Sequence, residues 1–125
     1  MVGGDSMRLT EAEWDVLNIL WTNESFSLKE ITTALQDVNG WNKNTVYTYL
    51  TRMEKKGLVT INRSMAKPYS AAVSKDFCAK KERNELLAKV YGGATGDLIA
   101  AFLKESSISK EERNRLKKML DDMEV

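Results

Sequence analysis

The 125-residue sequence predicts a mainly α chain with one small β-hairpin, and three observations lead there. Apolar residues recur at helical spacing in six stretches, most of them opened by a Ser, Thr or Asn able to cap a helix. Strand-like alternation of β-branched and aromatic residues is confined to two short runs, 58–63 and 68–73. Glycines fall at the seams, at Gly40, Gly57 and Gly92-Gly93. The order helix, helix, helix, hairpin is that of a winged helix-turn-helix, and the helices after it form a C-terminal arm.

The elements follow in order. Thr10-Glu11-Ala12-Glu13 reads as a capping box, and Trp14, Leu17, Leu20 and Trp21 form one face of a helix from Glu11 to Trp21. Ser27-Leu28-Lys29-Glu30 repeats the box, with Leu28, Ile31 and Leu35 as the buried stripe of a short second helix. Asn39-Gly40 is a turn pair, beneath which Trp41 is expected to pack. Asn42 caps a third helix that runs to Lys56, and Gly57 can take the left-handed conformation that ends it. Leu58–Arg63 and Pro68–Val73 are the strands, joined by a turn at Ser64–Lys67. Two strands alone are marginal, so the hairpin must lean on the helices. Beyond Ser74 the expected helices are Lys75–Tyr91, Asp97–Lys104 and one opening with a third box, Ser109-Lys110-Glu111-Glu112. This places a boundary near residue 73, dividing 7–73 from 74–125.

Composition excludes several functions. The chain has no histidine and a single cysteine, Cys78, so neither a Cys/His zinc site nor a histidine-dependent triad can be built within it. No GxGxxG or GxxxxGK[ST] offers a phosphate cradle. No catalytic residue, metal ligand or cofactor site is therefore expected, and the chain is expected not to be an enzyme. Asp121, Asp122 and Glu124 read as solvated charge, because adjacent helical positions point apart. Cys78 reads as a structural helix residue. No apolar run approaches the roughly 20 residues that span a bilayer, and Met1–Ser6 lacks the charged-then-apolar order of a signal peptide. A cytoplasmic protein without a membrane segment is the expectation.

The formal net charge of +1 hides an asymmetry. Residues 1–41 carry −5, whereas residues 42–69 carry six cations against Glu54 alone. A basic window of this kind is an electrostatic footprint for a polyanion, or simply a solvated face. Geometry sharpens the choice. At about 100° per residue, Val46, Tyr49, Leu50 and Met53 share the buried side of the third helix. Asn44, Tyr47, Thr48, Thr51 and Lys55 share the opposite side, flanked by Lys43 and Arg52. That outer face holds an amide, a phenol, hydroxyls and cations but no acid, which suits base edges and phosphates in a major groove. The candidate double-stranded DNA contacts are Asn42, Lys43, Asn44, Thr45, Tyr47, Thr48, Thr51, Arg52 and Lys55, with Arg63 and Lys67 from the wing tip. The alternative is a winged helix whose outer face meets another protein and does not bind DNA specifically.

The arm carries short apolar stripes separated by polar residues. They could fold back as ordinary core, but a two-fold partner would bury them better. The candidate homodimer interface is Val90, Leu98, Ile99, Phe102, Leu103, Leu116, Met119, Leu120 and Met123.

In combination, the segments Leu9-Thr10-Glu11-Ala12-Glu13-Trp14, Asn44-Thr45-Val46-Tyr47-Thr48 leading to Arg52, and Lys56-Gly57-Leu58-Val59 resemble the penicillinase-repressor (BlaI/MecI/CopY) family. The likeness continues through Tyr69-Ser70 and Lys89-Val90-Tyr91-Gly92-Gly93 and covers roughly residues 8–125. It implies a transcriptional repressor that binds a palindromic operator as a homodimer, often ahead of resistance or stress genes. In β-lactam-responsive relatives a membrane sensor triggers protease cleavage of an Asn-Phe bond in the dimerisation domain. The matching bond here is Ala101–Phe102, with alanine in place of asparagine. Copper-responsive relatives end in clustered cysteines, whereas this chain ends in Met123-Glu124-Val125. Positions matching Asn44 and Tyr47 are basic in some β-lactamase repressors.

Overall fold

A computed structural model describes residues 8–105 and 107–123. Met7, the expected start of the first domain, and Glu124 of the acidic tail lie outside the described residues. The elements are α1 (Glu11–Leu20), α2 (Leu28–Gln36), α3 (Lys43–Lys55), β1 (Val59–Ile61), β2 (Tyr69–Ala71), α4 (Lys75–Tyr91), α5 (Thr95–Glu105) and α6 (Lys110–Asp122). This is the mainly α winged helix-turn-helix with a helical arm that the sequence pattern predicts.

Local chemistry sets the helix starts. At α1 and α2 both halves of the capping box are made, by Thr10 with Glu13 and by Ser27 with Glu30. At α6, Ser109 accepts the Glu112 N–H. Four of the expected helix bounds move, among them the ends of α3, now at Lys55 with Lys56 as its cap, and of α5, now at Glu105. α1 stops at Leu20 with Trp21 as its cap, and the Trp21 indole N–H donates to the Val73 carbonyl, 3.0 Å away. α5 begins two residues earlier than expected, at Thr95, once the Gly92-Gly93 turn has closed; both glycines have positive φ.

α1, α2, α3 and the hairpin bury one core: Val16, Leu17, Leu20, Ile31, Leu35, Val46, Leu50, Met53 and Leu58 lose essentially all solvent contact. Each such side chain contributes about 1.5–3 kcal/mol relative to exposure. Val16 takes the place expected for Trp14, which is only half-buried and meets Trp21 edge-on at 6.0 Å.

The strands are shorter than the alternation suggests, three residues each, paired antiparallel with Val59 opposite Ala71 and Ile61 opposite Tyr69. A third piece of backbone supports them. Phe26, in the loop between α1 and α2, exchanges both backbone hydrogen bonds with Tyr69, at 2.8 and 3.0 Å. This explains how so small a hairpin stands: one side is paired to the loop and one face packs on the helices.

Contacts divide the chain into two units after Ala79, inside α4 and past the expected boundary near residue 73. The start of α4 thus groups with the N-terminal unit, where Cys78 is buried. In the second unit α5 and α6 bury none of their described side chains. Among the described residues no single helix is long and apolar enough to cross a membrane.

Candidate nucleic-acid interface

The sequence holds α3 in place at both ends. The Asn42 side chain accepts the Thr45 N–H at 2.9 Å, so this candidate contact also serves as the cap. At the other end Gly57 turns the chain with φ +79°, and Lys56 pairs with the buried carboxylate of Glu13. Glu13 uses one oxygen for the α1 cap and the other for Lys56, tying the start of α1 to the end of α3. The first turn of α3 contains no acid, which leaves its positive helix end open to an anion.

The outer face is as expected in its broad lines. Lys43, Asn44, Tyr47, Thr48, Arg52 and Lys55 are exposed, Tyr47 by 52%, while Thr45 and Thr51 are half-buried. The threonines differ from the expectation of free hydroxyls. Thr48 Oγ1 donates to the Asn44 carbonyl and Thr51 Oγ1 to the Tyr47 carbonyl, each at 2.9 Å. Their protons are used within the helix, leaving oxygen acceptors and methyl groups for a partner.

Two aromatic residues have roles the periodicity did not assign. Trp41 was expected to pack beneath the Asn39-Gly40 turn, but its ring stacks on Tyr49 with centroids 4.3 Å apart. Tyr49, expected in the buried stripe, is half-buried, and the Arg52 guanidinium lies 5.7 Å from its ring centroid. The Trp41–Tyr49–Arg52 stack thereby restrains a cation beside the outer face. Asn44, Thr45, Thr48, Tyr49 and Arg52 line an open recess of about 280 Å³ there. Period alone sets Tyr49 at the edge of the apolar stripe; only the loop that returns Trp41 to it creates the stack.

The wing cations are not free. Arg63 donates from Nη1 and Nη2 to the two oxygens of Glu54, both at 3.0 Å. Lys67 Nζ donates to Glu30 Oε2 at 3.0 Å. The Arg63 hydrogen bonds hold the Glu54 carboxyl below the usual carboxylate range, and Glu54 raises Arg63 in turn. Glu30 is lowered first by the Ser27 backbone N–H and then by Lys67. Of the six cations in the basic window, Lys43, Arg52 and Lys55 lack a carboxylate partner among the described residues.

In the arm, Val90, Ile99, Phe102, Leu103, Met119, Leu120 and Met123 are exposed, Phe102 by 61%, and Leu98 and Leu116 are half-buried. The Ala101–Phe102 bond lies in mid-α5, beside an open recess lined by Tyr91, Ala101, Phe102 and Glu105. A helical bond must unwind locally before a protease can take it. Burial pushes the Cys78 thiol up, which disfavours the reactive thiolate. Among the described residues no group of three His, Cys, Asp or Glu side chains is placed to hold a metal.

Comparison with known proteins adds a second kind of observation. The family described as penicillinase repressor matches residues 9–122. A penicillinase repressor of Staphylococcus aureus is 30% identical over 118 residues, covering 94% of each chain. The methicillin resistance regulatory protein MecI of Staphylococcus aureus (strain N315) is 29% identical over 115 residues, 90% of this chain and 93% of that one. Among solved structures, a transcriptional repressor, CouR, bound to p-coumaroyl-CoA, aligns with a TM-score of 0.49 at 22% identity, over 94% of this chain and 74% of the other.

Proposed function

The chain belongs to the penicillinase repressor family, DNA-binding regulators of transcription, and from that premise we propose that it represses by occupying a palindromic operator as a homodimer. The observation that carries the DNA contact is the acid-free outer face of α3, where Asn44, Tyr47, Arg52 and Lys55 stand exposed together. A helix of this composition fits a major groove, where an amide can grip adenine and threonine methyls can meet thymine. Lys43 and Lys55 neutralise phosphates at its two ends, with the wing alongside. The reading domain is 7–73 and the pairing domain 74–125, with the start of α4, to Ala79, grouped with the reading domain. The arm supports the dimer, because α5 and α6 bury none of their described side chains and leave Phe102, Ile99, Leu103, Met119 and Leu120 to a second copy. Two-fold pairing of the arms presents two recognition helices to two half-sites. No catalytic step and no cofactor enters this reading.

Selection of bound DNA from a random duplex library tests it. We expect an inverted repeat among the enriched sequences. Three unpaired cations per protomer also set a salt dependence, with log K falling against log[salt] at a slope of about −5 for the dimer. No enrichment together with a slope near zero would instead favour a protein-binding surface.

A further inference from the structure

Both cations at the wing are held by carboxylates of their own chain. Arg63 meets Glu54 fork to fork, the geometry in which a guanidinium otherwise grips a phosphate. Lys67 meets the one Glu30 oxygen that the α2 cap leaves over, since Oε1 accepts the Ser27 N–H at 2.9 Å. Helix energetics do not account for Glu54. It sits in the last turn of α3, where an acid opposes the negative end of the helix dipole, and it is the only acid among residues 42–69. Its partner across the chain accounts for it better. All four side chains remain partly open to solvent, so a DNA phosphate can reach each pair and replace the carboxylate.

We propose that Glu54 and Glu30 are internal phosphate surrogates, which occupy Arg63 and Lys67 in the free protein and have to be displaced before the wing can hold a DNA backbone. The inference rests on the DNA-binding reading above. Its consequence lies in counterions. A free cation that neutralises a phosphate releases about one condensed counterion, which sets the salt slope. When Arg63 leaves Glu54 for a phosphate, that counterion is released, but the bared carboxylate gathers solvent cations in its place. Net release falls towards zero. The paired wing therefore adds little affinity for DNA of arbitrary sequence, and discrimination is left to the outer face of α3.

The test uses the full-length chain and a fluorescein-labelled duplex of mixed sequence, long enough for both protomers. Anisotropy across a KCl series gives the affinity and slope of the parent, E54Q/E30Q, E54Q/R63A and R63A. E54Q/E30Q should bind roughly tenfold more tightly at low salt, where exposed ion pairs are each worth up to about a fivefold factor. Its slope should steepen by about 2 per protomer. E54Q/R63A should return to the parental slope, and R63A alone should leave that slope unchanged. A parental slope or weaker binding in E54Q/E30Q, at a parental melting temperature, overturns the inference while the DNA-binding reading stands. Should E54Q/E30Q fold poorly, R63A decides: a slope shallower by about 1 per protomer overturns the inference from the other side. Absence of any duplex binding by the parent overturns the DNA-binding reading and this inference together.

Discussion

At the scale of single residues, α3 keeps its exposed polar groups apart from the groups that hold it in place. Asn44 and Tyr47 stand exposed on α3 with no side-chain hydrogen bond among the described residues, Tyr47 within electrostatic reach of Arg63 and Tyr69, whereas Asn42 and Glu13 support the helix itself. Tyr47→Ala should cost on the order of 1–3 kcal/mol on the selected operator and much less on mixed-sequence DNA. Lys55→Ala should weaken both about equally and make the slope shallower by about 1 per protomer. Equal losses from Tyr47→Ala on the two duplexes, measured side by side, would move the reading face elsewhere. Acid titration offers a separate check on Glu54. Its folded carboxyl is held below the ordinary value, so the pair stabilises the fold above that value and the benefit is lost as pH falls through the lowered one. Melting temperature should therefore drop on acidification more steeply in the parent than in Glu54→Gln.

Elements depend on their ends and on one another. α3 is short of strong helix formers in its first half, and its cap carries much of its definition there. Asn42→Ala should lower stability by about 1 kcal/mol, read by chemical denaturation. Gly57→Ala should cost a similar amount, about 1 kcal/mol, from strain alone: its φ is +79° and no atom lies within 4 Å of where the Cβ would stand. A neutral result at Gly57 would mean that the turn relaxes. The wing is the least autonomous element. Its three-residue strands rely on the Phe26 backbone, which is why runs of alternating residues overstate their length.

At the scale of the whole molecule, the proposed dimer turns on whether the arm pairs two copies of the chain. Phe102→Asp puts a charge on the exposed stripe it shares with Ile99 and Leu103, and it should sediment as a monomer where the parent sediments as a dimer. A fragment ending at Ala79 should keep its fold, because the apolar core and the buried Cys78 lie within that unit. It should still lose at least tens-fold in operator affinity, since linking two sites typically gains about 10²–10⁴. A monomeric parent, or a fragment that binds the full operator as tightly as the parent, would contradict the dimer.

The sequence by itself determined what depends on neighbours three or four residues away. Capping boxes at Thr10 and Ser27, the Asn42 cap, the glycines that turn at 40, 57, 92 and 93, and the two sides of α3 are all short-range consequences of residue type and period. They were enough for the order of elements and for the exposed face of α3. Tertiary structure alone decided the rest, because it joins residues that are remote in the chain. It placed Trp41 on Tyr49 and Phe26 beside Tyr69, and it brought Glu13 to Lys56, 43 positions apart. It also paired Lys67 with Glu30 and Arg63 with Glu54, so the count of cations in the basic window overstated those free to meet a phosphate. Charge adds along a sequence without regard to place, whereas an ion pair forms only where folding brings opposite charges within reach of each other.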